Sequence, residues 1–298
     1  MSASPAHTVL ITGCSTGIGR ATALHLAAAG HRVHATARRP ESIADLADHG
    51  CRTWPLDVTD EESMQAAVRA VEAEGGSVDV LVNNAGYSRS GAVESIPPED
   101  LRAQFETNVF GLVRMCQLVL PGMREQGWGR IINISSMGAN FTFPGGGAYH
   151  ASKYAVEALS DALRFEVAGF GVGVTLLQPG LIRTEFAATA STAATSGQDE
   201  GGDAPAADPG AGAVYAEFNR RVAAATREAY ERGPLARLGG GPESVAKAVE
   251  KAIDAERAPI RVPVTASARL MTAQRRLLGD RGWERFLGTQ FSRPGRDG

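Results

Sequence analysis

The sequence predicts an α/β protein built on a doubly wound parallel sheet, and three observations point there. Short β-branched or leucine-rich runs alternate with stretches of helical periodicity along most of the chain, the pattern of a parallel sheet covered by helices on both faces. A glycine cluster, T-G-C-S-T-G-I-G-R, stands between the first such run, Thr8 to Ile11, and the helical pattern A-T-A-L-H-L-A-A-A-G. Further on, Tyr149 and Lys153 stand four residues apart at the start of another long helical pattern.

The first run and its glycine cluster read as strand, turn and helix. Gly13, Gly17 and Gly19 let the backbone turn sharply, approach a pyrophosphate and pack the helix on the strand. The helix N-terminus then offers unpaired N–H groups to the anion. A tight structural turn is the alternative. Gly30 closes the helix, and H-R-V-H-A-T-A forms the second strand. A site selective for NAD usually carries an acid at that strand's end. Here stand Ala37, Arg38 and Arg39. With no carboxylate to repel a 2′-phosphate and guanidinium groups to grip it, the pattern favours NADP(H), unless both arginines are simply solvated. A helix around Glu41 to His49 leads to a third strand, Cys51 to Pro55. Asp57 is an acceptor for an adenine amine, and Asp60 reads as the N-cap of a helix over Glu61 to Glu74.

Val78 to Val82 is the fourth strand and runs into N-N-A-G, whose amides either contact a cofactor or lock neighbouring loops. Pro97 to Met123 is helical and carries Asn108, a polar amide among apolar neighbours. Gly129 to Ile134 is the fifth strand, and its end places Ser135 and Ser136 where ligands bind in open parallel sheets. On the next helix, Tyr149 and Lys153 leave the same face with Cβ atoms roughly 5–6 Å apart. An adjacent ammonium draws a phenol below its free pKa of ~10, which makes an acid–base pair; a plain surface contact is the other reading. Val172 to Leu177 is the sixth strand, ending in Q-P-G-L-I-R-T. Residues 187–213 are Ala, Gly, Ser, Thr, Asp and Pro with almost nothing large and apolar, so a mobile segment is expected. Helical patterns resume at Val214 to Glu231 and Glu243 to Ala255, and Pro259 to Val264 reads as an edge strand before an Arg-rich tail.

Composition narrows the function. A chain of 298 residues can bury one sizeable core, so the expectation is a single domain over 1–298 with the insertion at 187–213 and an extension over 265–298. The net charge of -3 shows no basic excess, which argues against nucleic acid as a partner. No run approaches the ~18 apolar residues of a membrane span, and Met1 to His7 lacks the features of a signal peptide, so a cytoplasmic location without membrane attachment is expected. Cys14, Cys51 and Cys116 have no metal-like spacing and read as reduced, mostly buried thiols, with no metal site implied.

Taken together, these motifs resemble the short-chain dehydrogenase/reductase family, in its compact single-domain form. The resemblance covers roughly Thr8 to Thr184: T-G-x-x-x-G-x-G at Thr12 to Gly19, the acid Asp57, N-N-A-G at Asn83 to Gly86, a serine with Y-x-x-x-K, and P-G at Pro179 and Gly180. It implies a Rossmann-type seven-stranded parallel sheet in the order 3-2-1-4-5-6-7 and hydride exchange with a nicotinamide. By the same resemblance Tyr149 is the general acid/base, and Lys153 binds the ribose and lowers its pKa. Ser136, thirteen residues before the tyrosine, holds the substrate oxygen, and Asn108 keeps a water in a proton path. The cofactor would lie along Gly13, Ser15, Thr16, Gly17, Ile18, Gly19, Arg38, Arg39, Asp57, Val58, Asn84, Ala85 and Gly86. Beyond these it would reach Tyr149, Lys153, Pro179, Gly180, Ile182 and Thr184.

The expected activity is interconversion of a secondary alcohol and a ketone on an apolar small molecule, the apolar character suggested by Met137, Phe141, Phe143 and Phe186 unless these simply pack the core. His150 is expected to be structural. The family also forms homodimers and homotetramers. A cofactor-sensing regulator without chemistry is the rival from another class, and it has no need of the serine, tyrosine, lysine and asparagine. Sugar-nucleotide epimerases and dehydratases are a second rival, with a different glycine spacing.

Overall fold

In the computed structural model, residues 5–185, 209–233, 235–291 and 293–295 are described. Seven strands form one parallel sheet in the order β3-β2-β1-β4-β5-β6-β7. They are β1 (Thr8–Ile11), β2 (Arg32–Ala37), β3 (Arg52–Pro55), β4 (Val80–Asn83), β5 (Gly129–Ile134), β6 (Val172–Gln178) and β7 (Arg261–Pro263). Side chains of successive strand residues point to opposite faces, and both faces of the central strands are buried. Val9, Ile11, Val80 and Val82 pack into one apolar layer, whereas Leu10, Leu81 and Ile131 enter the other. Chain order reverses direction across the sheet between β1 and β4, which opens a crevice at their C-terminal ends.

Helix α1 (Gly17–Ala28) follows β1, and α2 (Glu61–Gly75) begins at Asp60, whose Oδ1 accepts from the N–H groups of Glu62 (2.9 Å) and Ser63 (3.2 Å). Asp60→Ala removes that cap and is expected to cost about 1 kcal/mol of stability, read as a lower urea midpoint with an unchanged slope.

Between β4 and β5 the sequence reads as one helix, and the structure divides it. Helix α3 (Pro98–Phe105) passes through a π-helical turn, Glu106–Phe110, into α4 (Gly111–Gln126). Helix α5 (Gly147–Val167) carries Tyr149 in its first turn. Helix α6 (Pro209–Glu231) starts before the expected Val214, so the end of the 187–213 insertion is helical; residues 187–208 and Phe186 lie outside the described residues. Helix α7 (Pro242–Asp254) covers the sheet beside α1.

The tail departs most from expectation: it is a helix, α8 (Ala266–Gln290), bent at Gly279, where φ is 59°. Its Ala268, Met271 and Trp283 bury against Met137, Phe141 and Leu181. Phe141 is 1% exposed and packs 5.3 Å, centroid to centroid, from Trp283. Met137, Phe141 and Phe143, expected to flank a pocket, therefore belong to this apolar cluster. His150 is buried beside it, its Nδ1 2.6 Å from the Gly138 carbonyl oxygen.

Candidate active site

A cleft of about 860 Å³ runs along the C-terminal ends of the strands, from the glycine turn after β1 to the first turn of α5. At one end Ser15, Thr16, Gly17 and Ile18 surround the start of α1. That helix has no side-chain cap and no acid in its first turn, so its N–H groups are available to an anion. Gly13 and Gly17 adopt φ of 72° and 56°, a region that disfavours any side chain. A Cβ on Gly13 would come 2.9 Å from the Ala85 Cα. Gly19 does not line the cleft; a Cβ there would overlap the Gly13 carbonyl, so its smallness serves helix-to-turn packing.

The N-N-A-G amides are divided between two jobs. Asn83 bridges β4 to β5, its Nδ2 donating to Asn133 Oδ1 at 2.9 Å. Asn84 Nδ2 donates to the carbonyls of Thr12 (2.9 Å) and Gly13 (2.8 Å), which locks the glycine turn. Ala85 and Gly86 form the adjoining wall, and Arg38, Asp57 and Val58 line the other flank beside the end of β2. Asp57 Oδ1 also accepts from the Thr59 N–H at 2.9 Å. Arg39 is exposed and does not line the cleft among the described residues.

Ser136, Tyr149 and Lys153 meet at the far end; Pro179, Gly180 and Ile182 also line the cleft, and Thr184 lines it against Gly17, where a Cβ would lie 3.3 Å from the threonine side chain. The two neighbouring serines differ sharply. Ser136 hydrogen-bonds Tyr149 and accepts from the Gly138 N–H at 3.0 Å, whereas Ser135 donates to Glu157 Oε1 at 2.5 Å. Lys153 Nζ donates to the Ile134 carbonyl at 2.8 Å and stands 5.8 Å from the centre of the Tyr149 ring.

Spacing alone suggests that the ammonium draws the phenol down, and the surroundings act the other way. Burial pushes the Tyr149 phenol well above its usual value, with only the Ser136 hydrogen bond opposing. Burial also lowers the Lys153 ammonium to about 8, with Glu157 pulling it back up.

Asn108 sits in the π-helical turn, 1% exposed, behind the wall that Gly86 and Tyr87 form and not itself lining the cleft. Its Oδ1 accepts from the Tyr87 N–H at 3.0 Å, and its Nδ2 donates to the Tyr87 carbonyl (2.9 Å) and Ser152 Oγ (3.0 Å). It thus ties the loop after β4 to the turn of α5 that carries Lys153. Gly86 is needed for this closeness, since a Cβ there would lie 3.0 Å from Asn108 Oδ1.

Sequence reasoning missed Tyr87 and Tyr230, both of which line the cleft. Tyr230 comes from the last turn of α6, and burial raises its phenol to about 12. The helical pattern of α6 is readable, but its docking across the cleft is a long-range contact that no local motif announces.

Among the described residues no cluster of three or more His, Cys, Asp or Glu is placed to hold a metal, and no helix is long and apolar enough to cross a membrane. The three cysteines are buried free thiols.

A family model described as short chain dehydrogenase matches residues 7–195. A 3-ketodihydrosphingosine reductase of Bacteroides thetaiotaomicron is 44% identical over 193 residues, which are 64% of this chain and 70% of that one. A solved short-chain dehydrogenase from Streptomyces avermitilis is 36% identical with a TM-score of 0.73, over 96% of this chain and 100% of that one. The closed form of a serine dehydrogenase complexed with NADP+ is 28% identical with a TM-score of 0.70, over 86% and 94% of the two chains.

Proposed function

The chain belongs to the short-chain dehydrogenase family of oxidoreductases, and from that premise we propose that it is an NADP(H)-dependent enzyme interconverting a secondary alcohol and a ketone on an apolar small molecule. The observation that carries the reading is the meeting of Ser136, Tyr149 and Lys153 at one end of a cleft whose other end is an uncapped helix N-terminus. An anionic dinucleotide fits that cleft: the glycine turn leaves room for a backbone approach, and Arg38 offers a cation where β2 ends without a carboxylate. The solved relative with bound NADP+ supports the same choice by analogy.

NADP(H), when bound, supplies or accepts the hydride. The chain's own residues manage the proton and the oxygen. Ser136 orients the substrate oxygen by a hydrogen bond and Tyr149 delivers a proton to it in the reductive direction. A phenol raised by burial holds its proton at neutral pH, which suits delivery. Lys153 keeps a cation within reach of the same point and favours the phenolate left behind. Asn108 positions the Lys153 turn through Ser152. With Phe141 and Phe143 taken up by the core, the apolar character of the substrate rests on Tyr87, Ile182 and Tyr230. The Bacteroides relative, named for reduction of a keto compound, is in keeping with it.

A panel of ketones of rising chain length, followed by NADPH oxidation, tests the proposal. Turnover of apolar ketones supports it. Tight NADPH binding with no turnover across the panel favours the regulatory reading, and no dinucleotide binding at all rejects both.

A further inference from the structure

One helical turn beyond Lys153, on the same face of α5, lies Glu157, a carboxylate 8% exposed beneath the active end of the cleft. An isolated buried charge is costly unless it is paired and hydrogen-bonded. Glu157 is both. Its Oε1 accepts from Ser135 Oγ at the end of β5 (2.5 Å) and from Gln178 Nε2 at the end of β6 (3.0 Å). Its Oε2 takes a charged hydrogen bond from Arg261 Nε on β7 (2.7 Å). Arg261 in turn reaches Asp161 on α5, which also pairs with Arg164. The ends of β5 and β6 and the first residue of β7 therefore converge on one carboxylate, and the cation buried one turn away inside α5 is Lys153.

We propose that Glu157, itself held by Ser135, Gln178 and Arg261 one helical turn from Lys153 on the same face of α5, is a positioning residue whose fixed carboxylate keeps the Lys153 ammonium charged beside the cleft. The inference deepens the dinucleotide reading, because a neutral lysine would neither favour a phenolate on Tyr149 nor serve as a cationic contact. The groups facing Lys153 are consistent with this. Tyr149 is an uncharged phenol, the Ile134 carbonyl accepts a hydrogen bond, Asn108 is an amide, and among the described residues Glu157 supplies the negative charge acting on it. Burial alone drives the ammonium toward neutrality near physiological pH, and Glu157 opposes that.

The chain has only three lysines, Lys153, Lys247 and Lys251, so side-chain carbon NMR of labelled lysine can follow each titration in the full-length protein without cofactor. Lys153 is expected to lose its proton near pH 8. Glu157→Gln should lower that midpoint by about one unit. Arg261→Gln should raise it, because the removed guanidinium partly cancels the carboxylate. Opposite shifts in the two variants, with native circular dichroism, support the proposal. An unmoved Lys153 midpoint in folded Glu157→Gln, or shifts in the same direction in both, overturns it. If Glu157→Gln does not fold, Arg261→Gln decides alone: its side chain is 36% exposed, and an unmoved or lowered midpoint rejects the idea. Failure of the dinucleotide reading would show separately, as absent NADPH binding by the wild-type protein.

Discussion

Tyr149→Phe is expected to lower ketone turnover by about 10²–10⁴-fold while NADPH still binds and quenches the protein's fluorescence. The substitution deletes one oxygen from a half-buried ring that lines the cleft, so the cavity walls and the α5 backbone stay as they are. What disappears is the hydroxyl, hydrogen-bonded to Ser136, that can hand a proton to a substrate oxygen. Burial holds that proton on the phenol at neutral pH, so water would have to replace a donor already in position, and the lost rate measures that difference. Stability should change little and in either direction, since removing the hydroxyl also removes a buried polar atom that costs free energy to desolvate. Retained turnover in Tyr149→Phe would mean that the proton comes from elsewhere, and the assignment of the acid would fall.

How much of this was readable beforehand depends on whether the physics was local. Strand alternation, the glycine turn with its positive φ values at Gly13 and Gly17, and the Asp60 cap are all set by residues within one or two turns, and the structure follows them closely. The Tyr149 and Lys153 pair was legible for the same reason, as two positions on one helix face. The π-helical turn Glu106–Phe110 was not: it adds a residue to the helical repeat without changing the apolar character around it, so periodicity reports an unbroken helix. The sequence left Phe141 and Phe143 open between pocket and core, because aromatic residues near a serine at a strand end look alike whether they face a ligand or a core. Only the docking of Trp283, from a tail whose many arginines hide its helical pattern, decides which. The direction of the Tyr149 shift was missed for a related reason: spacing places the ammonium nearby, but burial is a property of the whole fold.

Charge reversal at Arg38 is expected to change the ratio of NADPH to NADH affinity by about 10²-fold or more, and the same change at Arg39 to do far less. The two arginines are adjacent in sequence and both exposed, but not equivalent in space, since Arg38 lines the cleft with Asp57 and Val58 and Arg39 is not among the described lining residues. A charge-assisted hydrogen bond to a phosphate contributes about 1.5–3 kcal/mol, or roughly 10- to 100-fold in affinity, and Arg38→Glu adds repulsion to that loss. NADH lacks the 2′-phosphate, so its binding should hold or improve as the new carboxylate accepts from the free ribose hydroxyls. Fluorescence titration of the wild-type protein, Arg38→Glu and Arg39→Glu with both dinucleotides at fixed ionic strength reads the ratios directly. Equal effects from the two variants would reduce the preference to a general surface field, and a wild-type protein indifferent to the 2′-phosphate would remove Arg38 from cofactor choice altogether.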